Sequence, residues 1–292
     1  MSDPTTNPET TRPIVMARPV REESALSAAA RAVPTRVAAL DMSSVTRGEA
    51  FLDVWLVLTV AIFVQYAPSV LLSDWQPAGE GALPAVDSLM VCAKWIEMLL
   101  VVTLCAYFVG RNGVALRSFG LHCERIGIQL LWVPLILVCA YAAMVGIGLL
   151  LLLVWGNPTQ LQTELTQRTE FAGAMPLDDL GLAVPLMLAV AVHEELLFRG
   201  LLLPYLRRAT GSWIAAIAIS SVIFGSLHFH QGSIAMVQIT GLAVVLSLMF
   251  IVSRSLIAVM VAHFTFDMAQ LQLMRWLPEI VKWAEHATSQ PS

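Results

Sequence analysis

Residues 179–203 read DLGLAVPLMLAVAVHEELLFRGLLL. Nearly all of this stretch is apolar. At about 1.5 Å of rise per residue it is long enough to cross about 30 Å of hydrocarbon as a helix. Yet Glu194, Glu195 and Arg199 lie inside it. A charge at membrane depth is costly, so such groups are expected to be paired, functional or both. Glu195 and Arg199 are four positions apart, share a helical face and suit a buried ion pair. Glu194 is turned about 100° from Glu195 and projects elsewhere. A carboxylate left without that partner can act as a general base. A structural polar knot between helices would account for the same residues.

The rest of the chain agrees with a membrane setting. Of 292 residues, 57% are apolar and 13% charged. The charged share is about half that of a soluble domain, and the mean hydropathy is +0.73. A soluble protein of this size cannot bury that much apolar surface. Soluble enzymes, secreted disulfide scaffolds and disordered chains are excluded. The expected fold is all-α, a polytopic transmembrane helical bundle. A net charge of −4 gives no support to nucleic-acid binding. Cys92, Cys105, Cys123 and Cys139 have neither CxxC nor metal spacing and read as helix-packing residues.

Seven apolar runs are long enough to span: 51–72, 87–109, 127–154, 179–203, 213–231, 234–253 and 255–274. Residues 1–48 hold five prolines, six arginines and no aromatic residue, and read as a disordered tail. A transmembrane domain over 49–275 and a short C-terminal tail over 276–292 complete the expected organisation. Arginines alternate from loop to loop, rich in the tail, in 110–126 and in 204–212, and absent from 73–86. That pattern puts the N-terminus in the cytoplasm. Seven spans then put Arg275 and Lys282 outside, a poor fit, so Trp276–His286 reads as an interfacial helix or an eighth span.

Other polar groups fall at membrane depth. Lys94 and Glu97 are three apart and suit a structural pair, and Asp53 reads as a wetted residue at a membrane edge. Phe224-Gly225-Ser226-Leu227-His228 places an imidazole in the fifth run, with His230 on another face. His263 and Asp267 are four apart in the seventh run and face the same way. The Asp can fix the imidazole tautomer, or both can donate to a ligand. Each has a packing explanation, but three helices with buried ionisable groups make three separate packing explanations a poor account. There is no HExxH zinc helix, no GxSG or GxGD protease segment and no phosphate-binding glycine loop.

Glu194-Glu195-x-x-x-Arg199, Phe224-x-x-x-His228 and His263-x-x-x-Asp267 together resemble the three motifs of the CAAX protease and bacteriocin-processing family, also called CPBP or ABI. The resemblance covers about 179–270. It implies an intramembrane endopeptidase of the glutamate type. Glu194 and His228 would activate a water, His263 and Asp267 would stabilise the oxyanion, and Arg199 would orient the pair through Glu195. No metal or other cofactor is expected, although Glu194, His228 and His263 could hold a zinc ion with one position open. Many members carry Asn where this chain has Asp267; an ionised Asp there would repel an oxyanion, so it must hold a proton, orient His263 or stand clear. The implied partners are membrane lipids and a peptide or protein substrate, lipid-modified or membrane-anchored forms included. The implied location is a multi-pass integral protein of a bacterial inner membrane. A scaffold, immunity factor or proton-coupled carrier could use the same buried groups.

Depth counting leaves a conflict. Glu194 comes out about 20 Å from Arg207 and His228 about 30 Å from Arg208, too deep to meet. A segment Pro204–Gly211 that rises into the protein, or strong helix tilt, would remove it.

Overall fold

The computed structural model describes residues 42–71, 88–155 and 158–289. The expected tail lies outside the described residues as far as residue 41, and so does the loop 73–86. The helices are α1 (Arg47–Leu71), α2 (Ser88–Asn112), α3 (Ile126–Leu130), α4 (Trp132–Trp155), α5 (Pro158–Ala174), α6 (Leu180–Glu195), α7 (Leu203–Thr210), α8 (Trp213–Leu227), α9 (Ser233–Ser253) and α10 (Leu256–Ser289). A π-helical segment, Leu196–Leu202, joins α6 to α7. No strand occurs among the described residues, as an all-α bundle requires.

Local chemistry sets several of these ends. Thr46 and Glu49 form a capping box: the Thr46 amide donates to the Glu49 carboxylate at 2.8 Å, and the Glu49 amide donates to Thr46 Oγ1 at 3.2 Å. Helix α1 therefore starts at Arg47, ahead of the apolar run. Asp179 caps α6 by accepting from the Gly181 amide at 2.8 Å. Gly211, at φ 74°, ends α7, and Ser212 caps α8 through the Ala215 amide at 3.3 Å.

Among the described residues, six segments are long and apolar enough to cross a membrane: Arg47–Tyr66, Ser88–Asn112, Ile126–Val154, Leu180–Thr210, Ser233–Ser253 and Leu256–Glu279. The expected span 213–231 differs, because α8 has 15 residues. That is about 22 Å of helix, short of about 30 Å of hydrocarbon. The chain turns in at Gly211-Ser212 and out through the short turn Phe229–Gln231. Trp276–His286 is no separate span either; it continues α10. The expected loop 155–178 contains the polar helix α5. Asp53 is another correction. It is 1% exposed and accepts from Arg111 Nη1 at 2.6 Å and Asn112 Nδ2 at 3.2 Å. Lys94 Nζ and Glu97 Oε2 pair at 2.8 Å, as their spacing suggests.

Helices α6, the π segment and α7 form the axis of the packing. Leu201, Leu202, Leu203 and Tyr205 are fully buried, and the Tyr205 ring lies 4.9 Å from that of Phe108 on α2. Helix α2 packs on α6 and α1 on α7. Helix α9 packs on α4 and α8, and α10 packs on α4, α5 and α6. Outward positions such as Leu153 and Ile214 are apolar and exposed, which water penalises and hydrocarbon does not.

Helices α7 and α8 fold back on each other at Gly211-Ser212, and this removes the conflict in depth. Glu194 stands about four turns before the hairpin and His228 about four turns after it. The two arms match, so both side chains reach the same level.

The contact of α8 with α9 depends on Gly225. A β-carbon there would lie 1.9 Å from Thr240 Oγ1 and 2.9 Å from the Met236 carbonyl oxygen. The threonine can rotate, but the carbonyl belongs to the backbone of α9. Gly225→Ala should push α8 from α9, costing about 1–3 kcal/mol, and displace His228 one turn on. A lowered thermal midpoint in detergent is the expected result; an unchanged midpoint would contradict this packing.

Candidate active site

The six residues singled out by the three motifs converge. Glu194 and Glu195 end α6, Arg199 lies in the π segment, His228 caps α8, and His263 and Asp267 lie one turn apart on α10. The π segment, built on i→i+5 hydrogen bonds, is rare and recurs at functional sites. All seven of its residues are buried.

Glu195 is the hub. Its Oε1 accepts from Arg199 Nη1 at 2.8 Å and from His263 Nδ1 at 2.7 Å. Arg199 Nη2 donates to the Ala243 carbonyl of α9 at 3.2 Å. The guanidinium also lies over the Phe224 ring, 4.9 Å from its centroid. One arginine thus ties the π segment to α8 and α9, and one glutamate ties it to α10. The pair is closed to solvent, with side-chain exposures of 1% and 0%. Glu195 Oε2 and Arg199 Nε have no hydrogen-bond partner. Such orphaned groups are costly in a dry interior.

The histidine tautomers follow from these partners. His263 Nδ1 faces a carboxylate and carries a proton. His228 Nδ1 donates to the Phe224 carbonyl at 2.8 Å, so its Nε2 carries the lone pair in the neutral ring. Both Nε2 atoms turn toward Glu194. Glu194 Oε1 is 4.0 Å from His228 Nε2, and Oε2 is 3.8 Å from His263 Nε2. Asp267 Oδ2 is 3.3 Å from His263 Nε2. The residue that fixes the His263 tautomer is therefore Glu195, from another helix, with Asp267 against the opposite nitrogen. Glu194, His228 and Asp267 keep 12%, 15% and 24% of their side chains exposed, so these three open outward while the Arg199–Glu195 pair does not.

The arrangement can hold a small nucleophile between one carboxylate and two imidazoles. Among the described residues, no group of three or more His, Cys, Asp and Glu side chains is disposed to hold a metal ion. His193, beside the glutamate pair, turns away and donates from Nδ1 to the Ala189 carbonyl at 2.9 Å. The side chain of His230 lies outside the described residues. The link from Glu195 to His263 was missed in the sequence, because 68 positions separate the partners.

Breaking the hub should be expensive. Arg199→Ala leaves Glu195 buried and His263 its only counterpart, and should cost about 3–5 kcal/mol. Arg199→Lys keeps the charge but cannot reach Glu195 and the Ala243 carbonyl with one planar fork. Denaturant unfolding in detergent should rank wild type above Lys above Ala. Equal stability of the three would show that the pair does not hold the helices.

Residues 176–269 match the family model described as Rce1-like, type II CAAX prenyl endopeptidase. The matched segment starts after α5, ends two residues beyond Asp267 and contains all six motif residues. No curated protein and no solved structure matches the chain significantly. The family supports a multi-pass membrane protein with protease activity on a peptide or protein substrate at the membrane. The segment 176–269 is thus similar to the CAAX prenyl endopeptidases, in agreement with the resemblance carried by the three motifs.

Proposed function

We propose that the chain is a glutamate-type intramembrane endopeptidase in which Glu194 and His228 activate a water molecule. The observation that carries this reading is the pair of Nε2 atoms turned toward the two oxygens of Glu194, at 4.0 and 3.8 Å. Such gaps are too long for direct hydrogen bonds and suit a bridging water, with each leg about 2.8 Å.

In the proposed cycle Glu194 takes a proton from the water as its oxygen bonds to the scissile carbonyl carbon. His228 Nε2 accepts the second hydrogen bond of that water and orients it. The carbonyl π electrons move to oxygen, and the oxyanion forms beside His263. The contact between His263 Nε2 and Asp267 Oδ2 holds a proton that can turn to the oxyanion. Collapse breaks the C–N bond, and the proton on Glu194 passes to the leaving amine. A carboxylic acid and an amine result. Asp267 acts here by orienting His263 and sharing its proton, which avoids setting a bare carboxylate against the oxyanion.

No step is routed through a metal. The substrate is a peptide bond near a protein terminus, on lipid-modified or membrane-anchored chains, as in CAAX processing or a related bacterial maturation. The loop charges support a cytoplasmic N-terminus, and the membrane in this reading is a bacterial inner membrane.

A prenylated peptide library, offered to detergent-purified protein, tests the reading. Glu194→Gln should lower kcat/KM by about 10²–10⁴-fold, and His228→Ala and His263→Ala should fall comparably while remaining folded. Chelator should leave the wild-type rate unchanged. Cleavage by Glu194→Gln at the wild-type rate would defeat the proposal, and loss of cleavage in chelator would require a metal instead.

A further inference from the structure

Arg168 lies on α5, outside the matched segment and outside the candidate membrane spans. Its Nε and Nη2 are both buried and without a hydrogen-bond partner. These two N–H groups form one edge of the guanidinium, the edge that meets a carboxylate side-on with two parallel bonds. Its natural helical partner one turn back, Glu164, is committed elsewhere. Glu164 Oε1 accepts from Ser233 Oγ and Oε2 from the Ile234 amide, both at 2.8 Å. Those bonds cap α9 where Gly232 has no side chain to offer. Burial lowers the Arg168 pKa and Glu164 opposes that, and an arginine remains charged throughout the working range. Arg168 as a whole is half-buried, but the shielded edge of its fork is costly to keep without a partner.

The position of α5 says where this fork stands. Helix α5 packs on α10 and on the turn Phe229–Gln231. Near its N-terminal half, Glu164 is bonded to the start of α9, just past His228 and that turn. Beyond its C-terminal end, Met175 packs in a cluster with Phe264 and Met268, which flank Asp267 on α10. Glu164, Arg168 and the fully buried Ala172 recur at four-residue spacing, so they share the face turned to the protein. Arg168 is about 6 Å along the helix from Glu164 and about 10 Å from Met175. Along α5, Arg168 therefore stands between the contact with the start of α9, just past His228, and the packing against the residues that flank Asp267.

We infer that Arg168 is a substrate-binding residue that receives a carboxylate of the peptide, the free C-terminal one in the first place, and so sets how far from the terminus the chain is cut. This rests on the endopeptidase reading above. It gives α5 a function that the three motifs do not contain. It also explains why a half-buried arginine stands there with one edge of its fork unpaired.

Three farnesylated peptides of one sequence test it: one with a free C-terminal carboxylate, one amidated, and one amidated with glutamate as its last residue. Wild type should prefer the free acid over the plain amide by at least about tenfold in kcat/KM, chiefly through KM, as expected for one charge-assisted pair. In Arg168→Gln that ratio should fall to about one, and Arg168→Lys should lie between. A ratio near one in wild type, or a wild-type ratio kept in Arg168→Gln, would overturn the inference. Preference for the glutamate peptide over the free acid would keep Arg168 as a carboxylate site but move the ligand to a side chain. The same peptides, titrated by fluorescence anisotropy onto Glu194→Gln protein, read binding without cleavage. If wild type cleaves nothing but Glu194→Gln binds acid over amide in an Arg168-dependent way, the protease reading fails and the carboxylate site stands. If neither acid nor amide binds, the site fails as well.

Discussion

Everything around the site depends on burying one guanidinium. Arg199 is 1% exposed in a helix that runs through an apolar bundle. Its charge has no water to answer it, so the protein must supply donors and acceptors at fixed places. Glu195 and the Ala243 carbonyl supply the acceptors, and the Phe224 ring covers the cation's face. Each partner comes from a different stretch of chain, so satisfying the charge specifies how the π segment, α8 and α9 meet. His263 joins the same glutamate oxygen and brings in α10. Such a pair need not add net stability over an apolar core. Its effect is specificity, since any other register leaves a bare charge in a dry place.

That commitment also divides the labour between two adjacent carboxylates. Glu195 is consumed by the hub, with 0% exposure. Glu194, about 100° further around the helix, escapes the arginine and meets the open side with 12% exposure. Identical side chains thus acquire opposite environments from one residue of helical phase. The π segment that follows lets the chain carry Arg199 back to Glu195 and still deliver Tyr205 and Leu206 into the core of α7.

Much of this was legible in the sequence, for identifiable reasons. The spacing of four between Glu195 and Arg199, and between His263 and Asp267, is local information that a helix converts directly into contact. The apolar runs showed the membrane setting because hydrocarbon imposes length and composition together. What stayed hidden was long-range or depended on turns. The Glu195–His263 bond joins distant segments. Asp53 looked wetted because Arg111 and Asn112, which bury it, lie on the next helix. The conflict in depth between Glu194 and His228 came from measuring both from the arginines Arg207 and Arg208. The reversal lies at Gly211-Ser212 instead, and from there the arms are equal.

Helix α5 was hidden for a different reason. Its mean hydropathy is low, so a reading tuned to spans leaves it as a loop. Polar helices in such a bundle have no lipid face to reveal them, and what places α5 is the capping of α9 by Glu164 and the packing of Met175. A charged fork without a partner fits better on a segment that is not itself required to cross the hydrocarbon. The division between a motif-bearing core and a polar helix packed beside it therefore follows from what each environment tolerates. The core encloses the Arg199 charge against Glu195, and α5, outside the spanning segments, carries a guanidinium edge with no partner.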